Sequence, residues 1–227
     1  MNAQETLTQL EALGTEQNRK IYARHGVKGQ QFGVSFTALR KLAKQIGKDT
    51  DKAELLWRSG NHDARVLACM LADPEKLGED QVERWASDLD NYIVADSFAG
   101  LISQSPFARL KAEGWINASN EWVSSAGWNL VSGLAMHAEK LDDGYFLRLL
   151  EKIESSIDSS PNRTRYNMNN ALIAIGIRNE KLRVEAEAAA RRIGKVKVEH
   201  GETSCKTPNA VETIHKTMAY RERKIKA

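Results

Sequence analysis

Proline is scarce in this sequence. There are four in 227 residues, Pro74, Pro106, Pro161 and Pro208, and each falls between periodic segments where helices begin or end. Cysteine is scarcer: Cys69 and Cys205 stand far apart. That argues against a disulfide scaffold and reads as two reduced thiols. No apolar run approaches the roughly 20 residues a membrane helix needs, so no membrane partner is expected. The N-terminus MNAQETLTQL has neither a basic flank nor an apolar h-region. It does not read as a signal peptide, and a cytoplasmic location is expected. Long alternating strand patterns are absent; KVKVEH (195–200) alternates but is short and loop-like. There is no P-loop, no G-x-G-x-x-G and no G-x-S-x-G elbow, which argues against nucleotide-cradling loops and serine-elbow chemistry.

What the sequence does have is helical periodicity. In SFTALRKLAKQIG the apolar residues Phe36, Leu39, Leu42, Ala43 and Ile46 recur at three-to-four spacing, with Ser35 placed to cap the start and Gly47 the end. TPNAVETIHKTM repeats the logic, with Thr207 as N-cap and Pro208 at the first helical position. About twelve helices are expected, and they look paired. Residues 61–89 and 120–153 each run from a polar cap through an apolar helix, turn at LGED or LDDG, and resume as an amphipathic helix. Residues 163–194 fit more loosely. Helix pairs of about thirty to forty residues predict an all-α fold, a curved α-solenoid of HEAT-like pairs. The expected organisation is one helical-repeat domain over 1–227, with 195–227 forming a C-terminal loop, helix and basic tail, RERKIK.

Charge is uneven along the chain. Residues 1–48 carry 8 basic and 3 acidic side chains, 49–160 carry 10 and 20, and 161–227 carry 15 and 7. Two basic ends flank an acidic middle, which suits either an anionic polymer or an ordinary solvated surface.

A few residues are placed to do chemistry. On a helix capped by Asp90 or Asn91, Val94, Phe98, Leu101 and Ile102 form the core stripe. Tyr92, Asp96, Ala99, Gly100 and Ser103 form another face, so a carboxylate sits beside an aromatic ring among small residues. The five tryptophans read as core, although Trp122, near Ser124 and Ser125, is a candidate for lining a base-contacting cleft. Arg163 and Arg165 lie at a helix start, where amides and guanidinium groups together suit phosphate. His200, Glu202 and Cys205 lack the tight spacing of a metal site, and no metal or cofactor is expected.

With these segments in view, the chain resembles the DNA alkylation repair family, a group of HEAT-like helical-repeat proteins. The resemblance rests on YARHGVKGQQFGVSFTALRKLAKQIG (22–47), LLWRSGNHDARVLACMLADP (55–74) and WASDLDNYIVADSF (85–98), and reaches to about Gly194. It implies a duplex-DNA partner cradled on a concave face through backbone contacts. In active members it also implies release of cationic N3- or N7-alkylated purines without metal or cofactor. Asp96 matches the family's catalytic aspartate and Tyr92 its preceding aromatic, which is usually Trp. A carboxylate there would stabilise the oxocarbenium-like sugar and orient water. The family's site arginine falls at Ser124 or Ser125, and a second aromatic near Ile173. Three readings follow: a DNA glycosylase using Asp96, a non-catalytic DNA-binding member holding phosphates with its basic ends (Arg163, Arg165, Arg191 and Arg192), or a scaffold for a protein partner.

Overall fold

Thirteen α-helices and two short 3-10 turns make up the computed structural model, which describes residues 1–225 apart from the Ile225 side chain. There is no strand among the described residues. Lys226, within the expected basic tail, lies outside them. The residues Arg221 to Ile225 continue a helix. The chain forms two compact units, one of Met1–Ala108 with His200–Ser204, the other of Arg109–Glu199 with the segment from Cys205 onward.

The first unit contains α1 (Ala3–Leu13), α2 (Glu16–Arg24), α3 (Phe36–Ile46), α4 (Thr50–Arg58), α5 (His62–Leu71), α6 (Glu79–Ser87) and α7 (Tyr92–Ile102). Its helices start where short polar side chains satisfy the first free amides: Asn2, Thr15, Ser35, Asp49, Asn61 and Asn91 all accept such bonds. Helix α5 is buried nearly all round and packs against α3, α4 and α7. That is the environment its run of Ala, Val, Leu, Cys and Met requires. Trp57 and Trp85 stack 4.3 Å apart with rings 1° from parallel, and Phe98 leans on both. Each indole N–H still finds a carboxylate, Asp88 at 2.9 Å and Glu54 at 2.8 Å, so the aromatic core buries no unsatisfied indole donor.

The loop between α2 and α3 has no ladder of its own. Its backbone is held by Asp63, which is fully buried and accepts from the N–H groups of Phe32, Gly33 and Val34 at 2.7, 3.0 and 2.8 Å. Gly33 sits at φ +81° with a Cβ position only 2.5 Å from the Thr15 carbonyl, so only glycine fits.

The second unit contains α8 (Ala108–Trp115), α9 (Glu121–His137), α10 (Asp143–Ser156), α11 (Asn162–Gly176), α12 (Glu180–Ile193) and α13 (Ala210–Ile225). Helices α9 and α11 lie along one another at its centre, with α10, α12 and α13 packed around α11 and α12. Small residues permit the approach. Asn167 bridges α11 to α9 by donating to the Ser125 carbonyl at 3.0 Å and its hydroxyl at 2.8 Å. The last helix starts later than Thr207 and Pro208 predict. Asn209 caps it, accepting from the Glu212 N–H at 3.0 Å, while the Pro208 carbonyl is taken by Asn169.

Candidate functional site

Asn91 fixes the start of α7. Its side-chain oxygen accepts from the N–H groups of Ile93 and Val94, both at 3.1 Å. From that start the helical period sends Val94, Phe98, Leu101 and Ile102 into the core. Tyr92 and Asp96, one turn apart, remain half-buried. They open onto a cleft of about 500 Å³ lined by Ile21, Tyr22, His25, Phe36, Tyr92, Ile93, Asp96 and Ser97. All of these belong to the first unit. Three aromatic rings, an imidazole and one carboxylate therefore share an open, largely apolar hollow.

The cleft's far wall comes from a stretch whose sequence carries no periodic signal. His25, at the end of α2, is hydrogen-bonded through Nδ1 to the Tyr92 hydroxyl. Its pKa lies below the ordinary value because burial disfavours the imidazolium and Arg24 repels it. A neutral ring can accept the tyrosine proton at Nδ1. Tyr22, mostly enclosed, is pushed up to about 12 by burial and by the Asp63 carboxylate, so it stays a neutral phenol. Its ring meets that of buried His62 edge-on at 4.9 Å. His25 and Phe36 are the functional candidates that periodicity misses. The one signal for them is the HGVKGQQFG loop leading into a well-capped helix.

The remaining sequence candidates lie in the second unit. Trp122 is half-buried, unlike Trp57, Trp85, Trp115 and Trp128, which are buried. Ser124 is 4% exposed and Ser125 is 0% exposed. The Ser124 hydroxyl donates to the Ile116 carbonyl at 3.4 Å, and Ser125 is engaged by Asn167. Both hydroxyls thus join helices. The start of α11 already holds a carboxylate: Glu121 accepts from the Arg163 N–H at 2.6 Å, in the place an anion would take. The Arg163 guanidinium stacks 4.2 Å above the Tyr166 ring. Arg165 donates to the carbonyls of Lys197 and Ser160 at 2.8 and 2.9 Å, which ties the 195–199 loop to α11. Arg191 and Arg192 pair with Glu187 and Glu154. Among the described residues, no group of three or more His, Cys, Asp or Glu side chains is placed to hold a metal. No helix among them is long and apolar enough to cross a membrane.

The family model described as "DNA alkylation repair enzyme" matches residues 6–213. The chain belongs to the DNA alkylation repair family. An uncharacterized protein of Listeria innocua is 31% identical over 215 residues, 92% of this chain and 94% of its own. Another, of Listeria monocytogenes, is 30% identical over the same shares. A solved structure is described as a new family of proteins related to the HEAT-like repeat DNA glycosylases with affinity for branched DNA structures. It matches with a TM-score of 0.88 at 31% identity, over 97% of this chain and 95% of that one. The helix pairs are therefore HEAT-like, as the sequence periodicity predicts. Within this family frame, the position expected for the site arginine is occupied by buried serines, and Ile173 is 8% exposed.

Proposed function

We propose that this protein binds DNA and prefers branched DNA to plain duplex. The observation that carries this reading is the likeness, along nearly the whole chain, to a protein with affinity for branched DNA structures. The site departures point the same way. With Ser124 and Ser125 buried and already bonded, those positions offer no side chain to grip the backbone beside a lesion. The test is fluorescence anisotropy with a four-way junction and a duplex of the same composition. Tighter binding to the junction, weakening steeply with salt, is the expected result. Equal affinities, or none, would sink the preference or the reading itself.

A second reading is favoured by the cleft. Asp96 stands one helical turn from Tyr92 in a hollow with room for a deoxynucleoside. An alkylated purine is a cationic leaving group and needs little proton donation. The carboxylate would face the positive charge that develops on the sugar and would orient the attacking water. The Tyr92 face would attract the cationic base. The expected outcome under this reading is release of free base from methylated duplex by the wild type, reduced at least about a hundredfold in Asp96→Asn. No release by either protein would leave DNA binding as the whole function.

A further inference from the structure

Most lysines and arginines of this protein sit against a carboxylate. Lys20, Lys52, Arg58, Lys76, Arg84, Lys181, Arg191, Arg192 and Lys216 all do so within 4 Å. Helix α3 breaks the pattern. It has no acidic residue, and its exposed side carries Arg40, Lys41 and Lys44, none of which makes an ion pair among the described residues. Lys48, just beyond, is already spent on the carbonyls of Met70 and Ala72 at 3.2 and 2.8 Å.

The helical period places Arg40, Lys44 and Lys41 on an arc of about 100°. Leu39 and Leu42, at 0% and 2% exposure, anchor the opposite side in the core. Phe36, at the first turn of the same helix, lines the Tyr92–Asp96 cleft. The first free cation therefore lies about 6 Å along the helix axis from the cleft wall, and the last about 12 Å. Arg24 is exposed beside His25 on the other wall, and it too lacks an ion pair among the described residues.

We propose that the outer face of α3 is a phosphate-contacting strip, on which Arg40, Lys41 and Lys44 hold a DNA backbone whose path crosses the Tyr92–Asp96 cleft. The inference rests on the DNA-binding reading above and assigns it a surface. Arg40 to Lys44 spans about 6 Å of axis, close to two phosphate steps of one strand at about 3.4 Å of duplex axis each. Long flexible side chains cover the difference. A membrane surface is a poor match, because a helix lying on lipid must offer a large apolar face, and that of α3 is buried in the core. Unpaired cations cost nothing extra to neutralise: no internal ion pair has to break before a phosphate is bound.

The experiment compares full-length Arg40→Gln/Lys41→Gln/Lys44→Gln with wild type in junction binding across a salt series. The control is Lys20→Gln/Lys76→Gln/Lys181→Gln, which removes three exposed cations that already have partners. Circular dichroism melts verify that both variants fold. The strip variant should bind at least about tenfold more weakly, with the slope of log K against log salt reduced by about 2. The control should stay within about twofold of wild type. Wild-type binding with affinity and slope kept in the strip variant would refute the strip and leave the DNA reading standing. No salt-dependent binding by wild type would refute both. Displacement of the junction by polyglutamate as readily as by DNA would show a general anion surface and overturn the assignment.

Discussion

Asp63 shows how much one side chain can organise. A buried carboxylate is costly unless its oxygens are fully used, and here three consecutive amides use them. Asp63→Ala should therefore destabilise the protein by roughly 3–5 kcal/mol, read as a lower urea midpoint, because three buried N–H groups lose their acceptor together. An effect under about 1 kcal/mol would mean that water replaces the carboxylate. The histidines add a pH dependence. His25 and His62 both have pKa values below the ordinary 6.5, and for both burial is the first cause. The unfolded chain thus binds more protons than the folded one below that value. Stability should rise with pH up to about 6.5 and fall as pH drops below it. Urea unfolding at about pH 5 and pH 7.5 measures this, and the difference should shrink in His25→Gln. A flat profile would mean that both rings protonate in place. None of this was legible in the sequence. Asp63 reads as a first-turn acid, and its partners lie about thirty residues upstream in a loop without period.

At the scale of the element, the sequence spoke more clearly. Helix α7 has its predicted cap and its predicted core stripe, because a sharp start at Asn91 lets the 3.6-residue period sort the side chains. Asn91→Ala should cost about 1 kcal/mol and fray the turn that carries Tyr92. A thermal melt gives the first effect. Tyr92 exposure, followed by its fluorescence in a background lacking the half-buried Trp122, gives the second. A melt unchanged within error would show that packing alone holds the turn. Helix α9 was harder to read. Small polar residues such as Ser124 and Ser125 suit either a surface or a tight helix contact, and only Asn167, forty-two residues from Ser125, decides for contact. Helix α13 was misread by two residues because Pro208 looks like a helix start, whereas Asn209 supplies the side-chain oxygen that caps it.

For the whole molecule, helical periodicity and paired caps were enough to predict an all-α repeat fold, since each pair buries its apolar stripe against the next. The cleft was half legible: its α7 wall follows from period, and its α2–α3 wall does not. That second wall has a consequence for the order in which the protein can form. The amides of Phe32, Gly33 and Val34 reach a ribosome's exit well before the aspartate that accepts from them. Until α5 has been made, the loop has no partner in its own stretch of chain. The hollow around Asp96 is thus assembled backwards, its earliest-made residues waiting for a later codon to set them in place.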